Sequence, residues 1–130
     1  MQPHSLAGTA GAEVFEELDM QSDDLWQPKP CFSAFFDTGL ERWLREKGVT
    51  LCVVGGRATH FCVLTTVLDA VCHDLKAVLL ADCSAAFSEQ VHQQTVEHYR
   101  RNPLYPLLRV ATSIDLISEL LKKNHENTKS

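Results

Sequence analysis

A chain of 130 residues, 45% of them hydrophobic, is the size of one domain and carries enough apolar side chains to bury a core. The formal net charge of −5 gives no reason to expect nucleic acid or an anionic membrane surface as a partner, and no stretch is apolar over the length of a membrane span.

Five cysteines, at positions 31, 52, 62, 72 and 83, form an odd set with no Cys-x-x-Cys pair, and the opening Met1-Gln2-Pro3-His4 lacks the basic-then-apolar plan of a signal peptide. This favours a soluble protein in a reducing, cytoplasmic setting over a disulfide frame. The scattered histidines and cysteines lack zinc-site spacing, so no metal or other cofactor is expected.

Residues 1 to 24 read mostly as loop, with a short helical possibility at Ala12 to Leu18. The Gly8 to Gly11 segment is not a phosphate cradle, because it lacks the Lys-Ser/Thr of a P-loop and no strand can precede it. In Pro28-Lys29-Pro30 each proline fixes its own φ and pushes the preceding residue toward extended geometry. Lys29 is therefore expected on an edge strand or at a strand end, its amine held in a defined direction. Asp37 or Thr38 should cap a helix with Leu40, Trp43 and Leu44 on its apolar face and Val49 after the Gly48 stop. Its Glu41, Arg42, Arg45, Glu46 and Lys47 read as a solvated face.

A β-branched, apolar run from Leu51 to Val54 predicts a strand that stops at Gly55-Gly56. After a short polar turn, Phe61, Leu64, Leu68 and Val71 recur with helical spacing. Thr59 is the expected N-cap, which puts Cys62 at the third helical position, where unpaired N–H groups and the helix dipole favour a thiolate. Cys62 is thus a candidate nucleophile, the competing reading being a buried cysteine on a helix face. Asp74 begins a turn into a second apolar run, Ala77 to Ala81, ended by Asp82. Ser88 should cap a helix to about Tyr99, with His92 and His98 as surface or packing residues. A loop from Arg100 to Pro106, a strand from Leu107 to Ala111 and a Ser113-capped helix to Lys123 follow, and residues 124–130 read as a frayed polar tail. Strands alternating with helices imply a parallel sheet covered on both faces, with ligands beyond the carboxyl ends of the strands. Gly55 to Cys62 and Lys29 are expected at such ends.

Gly56-Arg57-Ala58-Thr59-His60-Phe61-Cys62-Val63 resembles the Gly-x-Ala/Val-Thr-x-x-Cys-Val signature of the isochorismatase-like cysteine hydrolases, which include nicotinamidases, N-carbamoylsarcosine amidases and ureidoacrylate amidases. Gly8-Thr9-Ala10-Gly11-Ala12-Glu13 is similar to a second element of that family, and Lys29-Pro30-Cys31-Phe32-Ser33-Ala34-Phe35 to a third. Similarity continues through Asp82 and His92-Gln93-Gln94-Thr95 to Arg109-Val110. The resemblance implies a three-layer α/β/α fold with a parallel sheet over residues 1–123. It also implies a triad of cysteine, lysine and aspartate that cleaves a C–N bond of a small amide or ureido compound through a thioester. Carried over by position, Cys62 is the nucleophile and Lys29 the catalytic lysine. The backbone N–H groups of Ala58 and Cys62 form the oxyanion hole, and the Arg57–Ala58 bond is cis.

The family's aspartate ends a first strand that is interior to its sheet, and no such strand is recognised here. Asp19-Met20-Gln21-Ser22-Asp23 looks like the aspartate motif, but no buried apolar strand precedes it, so Asp19 reads as surface loop. The resemblance thus implies a chain lacking the opening strand, helix and strand, with the general base missing and a hydrophobic sheet edge unpaired. His60 lies two residues before Cys62, and residues two apart on a helix do not face each other, so it is not expected to substitute. Three readings follow: an amidase-type hydrolase, with a homo-oligomer expected, a weak short form that pairs with a full-length homologous subunit, or a fragment without a stable fold of its own.

Overall fold

In the computed structural model, residues 17–128 are described. The Gly8–Glu13 element, and most of the helical possibility that begins at Ala12, lie outside them. Helix α1 (Leu40–Glu46) is followed by strand β1 (Leu51–Arg57). A wide π-helical turn (Thr59–Val63) then runs into α2 (Leu64–Cys72). The rest of the chain is β2 (Lys76–Ala85), α3 (Glu89–Arg100), β3 (Leu108–Ala111) and α4 (Ser113–Thr128).

Among the described residues the three strands pair in the order β1-β2-β3, both pairs parallel, so each connection must cross over the sheet. Helices α2 and α3 make those crossovers. Ala77, Val78 and Leu79 are consecutive on β2 and 1%, 1% and 0% exposed, which requires both faces of the central strand to be covered. On one face Ala77, Leu79 and Leu108 pack with Val63, Val67 and Ala70 from the turn and α2. On the other, Arg109, the register partner of Val78, reaches Glu119 of α4 through two hydrogen bonds of 3.0 and 2.7 Å. The fold is thus α/β with helices on both sides of a parallel sheet.

Several boundaries differ from the sequence expectation. Strand β1 does not stop at the glycines but runs through them to Arg57, with its register against β2 shifting between Val54 and Gly56. Gly56 can do this because its φ is +139°. Gly48, at φ +69°, ends α1 as expected, and the Val49 N–H donates back to the Leu44 carbonyl. The N-cap of α1 is Gly39 rather than Asp37 or Thr38, although the Thr38 hydroxyl accepts from the Leu40 N–H at 3.4 Å. Strand β2 continues past Asp82 to Ala85, where its partner is Arg57. Ser88 caps α3 by accepting from the Val91 N–H. Helix α4 starts with Ser113 inside it and the Thr112 hydroxyl accepting from the Asp115 N–H, and it extends through residues 124–128, which were expected to fray. Lys29 lies in an irregular segment, neither on a strand nor at the end of one.

Candidate active site

Strand β1 delivers the chain to Arg57, the Arg57–Ala58 peptide bond is cis, and Ala58 and Thr59 are then buried beneath the start of the π-helical turn. In an α-helix the Ala58 carbonyl would accept the Cys62 N–H, four residues on. Here it accepts instead from the Phe61 and Val63 N–H groups, both at 3.1 Å. The wide turn steps over Cys62, leaving its amide without that bond. Single turns of this kind occur frequently at functional sites.

Ala58, not Thr59, is the N-cap, and it makes no side-chain cap. Cys62 is accordingly the fourth residue of the turn rather than the third, half-buried and a free thiol. The Thr59 hydroxyl is committed elsewhere: Oγ1 lies 2.7 Å from Nδ1 of His92, and both residues are buried. Of the other thiols, Cys52 is pushed up in pKa by burial, which suits a packing role.

Around Cys62 the surface is aromatic. The His60 ring lies 4.5 Å from Phe61 and 5.9 Å from Phe87, and the Arg57 guanidinium sits 5.2 Å over the Phe87 ring. Phe32 approaches Phe61 at 5.6 Å, so the segment that carries Lys29 is seated beside the turn. Two residues beyond Phe32, the Ala34 N–H donates to the Thr66 hydroxyl of α2 at 3.0 Å, fixing that segment. A groove of about 360 Å³ between the start of α2 and the outer side of α3 is lined by His60, Leu64, Gln94, Thr95, His98 and Tyr99.

The structure therefore gathers Arg57, Ala58 and Cys62 at the carboxyl end of β1 and brings the Lys29 segment alongside. It does not join Lys29 to Cys62: the Lys29 ammonium donates to the Cys31 carbonyl at 2.8 Å, and no hydrogen bond links the two side chains. Nor does His60 bond to Cys62; its buried Nδ1 has no partner among the described residues. Asp19 lies in an exposed turn, accepting from the Gln21 side chain at 2.8 Å. Asp82 is exposed, and its carboxyl is held below the ordinary range by hydrogen bonds from the Ser113 hydroxyl and N–H. No group of three or more His, Cys, Asp or Glu side chains among the described residues is placed to hold a metal ion.

Sequence reasoning did not single out His92 as part of this site. Its spacing did carry a signal, since it lies four residues before Val96 on the core-facing side of α3. Phe32 entered only as part of the Lys29–Phe35 element of the resemblance, and Phe87 gave no signal, because an exposed aromatic reads the same wherever the chain places it.

A free thiol on a turn at the carboxyl end of a parallel strand lies where α/β proteins place their ligand sites. The chain belongs to the isochorismatase family, whose isochorismatase domain matches residues 1–115. It is 37% identical over 93 residues to a probable inactive nicotinamidase of Arabidopsis thaliana, a match covering 70% of this chain and 47% of that protein. To the ureidoacrylate amidohydrolase RutB of Serratia proteamaculans it is 35% identical over 82 residues, covering 63% of this chain and 33% of the enzyme. The crystal structure of an isochorismatase-like hydrolase from Alkaliphilus metalliredigens superimposes with a TM-score of 0.81 at 29% identity, over 91% of this chain and 62% of that one. The chain thus spans at most half the length of these two curated relatives. Among the described residues no helix is long and apolar enough to cross a membrane.

Proposed function

We propose that this chain carries the nucleophile-bearing part of an amide hydrolase in which Cys62 attacks the carbonyl of a small amide or ureido compound. The observation that carries this reading is the Ala58 carbonyl, which bonds to Phe61 and Val63 and so leaves the Cys62 amide free of its helical bond. An N–H in that position can donate to an oxyanion that forms within reach of its own thiol. The Ala58 N–H, at the N-cap of the turn, is the second donor in this reading. The thiol gives its proton to a base, the sulfur forms a bond to the carbonyl carbon, and the C–N bond breaks as the amine takes up a proton. Water then hydrolyses the thioester. Lys29, on the segment seated by Phe32, serves to stabilise the thiolate and move protons, which requires its ammonium to leave the Cys31 carbonyl. The amidohydrolase name of the Serratia relative supports the amide class.

A second reading is favoured by the sheet edge. Among the described residues β1 pairs only with β2, and its Leu51 and Val53 are 39% and 43% exposed. An apolar, open edge is a template for another chain. In this reading the protein is a weakly active or inactive subunit that pairs with a full-length homologue, in keeping with the inactive label carried by the Arabidopsis relative.

The test is a mass-spectrometric search for the acyl intermediate. The protein is mixed with a panel of small amides and ureido compounds and quenched in acid. A mass increase that maps to Cys62 and is missing in Cys62→Ala supports hydrolysis. Release of product without any adduct at Cys62, undiminished in Cys62→Ala, would sink the cysteine mechanism. An unreactive chain that co-purifies with a longer homologous subunit would put the second reading first.

A further inference from the structure

The turn that presents Cys62 is held on three sides. Upstream it is continuous with β1, and downstream Val63, 3% exposed, and Val67, 0% exposed, lock it into the core. The third side is the contact between Thr59 and His92. By residue type Thr59 belongs at an N-cap, where its hydroxyl would accept from its own helix. It makes no such bond. Its hydroxyl is instead spent on Nδ1 of His92, with Thr59 wholly buried and His92 6% exposed, a hydrogen bond whose donor depends on the imidazole tautomer.

The far end of this contact is rigid. His92 lies in the first turn of α3, whose start is fixed by the Ser88 cap, and the His92 N–H donates to the Ser88 carbonyl at 3.1 Å. Val96, one turn further along, is 2% exposed. The near end is the first residue of the π-helical turn, directly after Ala58. Rotation of that residue would swing the Ala58 carbonyl, and with it the bonding pattern that steps over Cys62.

We propose that His92 is a positioning residue, which holds the Cys62 turn in its open register by fixing Thr59 against α3. The proposal builds on the reading of Cys62 as nucleophile. His92 touches neither the thiol nor a substrate in this account; it acts through Thr59.

The test uses the full chain and four variants. Thr59→Val removes the hydroxyl at constant shape, and Thr59→Ser keeps it. His92→Leu removes the ring nitrogen, and His92→Asn keeps a polar group near the Nδ1 position. For each, the iodoacetamide rate of every cysteine is read by peptide mass spectrometry, and backbone hydrogen exchange is followed over residues 58–63. The expected result is a fall in the Cys62 rate on the order of tenfold in Thr59→Val and His92→Leu, with Cys52 unchanged. Exchange over the turn should rise with it, and Thr59→Ser and His92→Asn should restore both. A merely structural role would move Cys52 and Cys62 together, or would leave Ser and Asn as damaging as Val and Leu, and either result overturns the proposal. If Cys62 in the unaltered chain reacts as an ordinary thiol, the nucleophile reading falls on that ground. The exchange pattern then decides the positioning claim, which stands with a rise that Ser and Asn reverse and falls without one.

Discussion

A Cβ placed on Gly55 would lie 2.8 Å from the carbonyl oxygen of Cys83, closer than carbon and oxygen can pack. The two residues belong to neighbouring strands at the point where the β1–β2 register shifts, just before the chain enters the Cys62 turn. The glycine there is a requirement of backbone approach, and the obstacle is another backbone rather than a side chain that could swing away.

Gly55→Ala should therefore destabilise the protein by about 1–3 kcal/mol, the range for forced overpacking. Denaturant unfolding followed by circular dichroism measures this. Gly39→Ala is the control, since nothing lies within 4 Å of a Cβ at that position, and it should cost much less.

Leu79→Ala should cost about 2–5 kcal/mol, because Leu79 is 0% exposed at the centre of the cluster that joins the sheet to α2. Against a typical total stability of about 5–15 kcal/mol, that is a large share. A variant as resistant to denaturant as the parent would contradict the placement of this core.

Asp82 gives a pH-dependent contribution of known sign. Its carboxyl is lowered by hydrogen bonds from the Ser113 hydroxyl and N–H, so the folded state binds its proton less readily than the unfolded state. Its stabilisation is fully present above the unfolded value of about 3.9 and is lost as pH falls through the lower folded value. Thermal melts from neutral pH into acid should show the parent converging on Asp82→Ala in that window, with the parent the more stable at neutral pH. A constant gap between the two at all pH values would count against the Asp82–Ser113 contact.

Val53→Lys tests the open edge of β1. Val53 is 43% exposed, so a lysine can reach solvent there and should change monomer stability by no more than about 0.5 kcal/mol. If that edge recruits a second chain, sedimentation velocity should show weaker association in Val53→Lys than in the parent. Equal association in both would place any interface elsewhere.

Much of this architecture is legible in the sequence because local patterns and tertiary packing agree. Leu51 to Val54 alternates with the spaced apolar residues of α2, Gly48 ends α1, and Ser88 caps α3. What is not legible depends on residues distant in sequence. Thr59 has the chemistry of a cap, and only the approach of α3 shows that its hydroxyl is claimed by His92. The glycines at 55 and 56 read as a strand end, but β2 runs alongside as far as Ala85 and keeps β1 paired through them to Arg57. Asp82 punctuates an apolar run and so reads as its end, whereas the structure uses it to receive the start of α4. Lys29 is stiffened by its flanking prolines, but stiffness does not set direction, and its ammonium turns to the Cys31 carbonyl.

The proposal that Cys62 is a nucleophile assisted by Lys29 is tested most directly by the alkylation rate of Cys62 in the parent and in Lys29→Met. An activated thiol should react ahead of exposed cysteines such as Cys31, Cys72 and Cys83, and Lys29→Met should slow it. A Cys62 that reacts no faster than those exposed thiols, at a rate indifferent to Lys29, would overturn that reading.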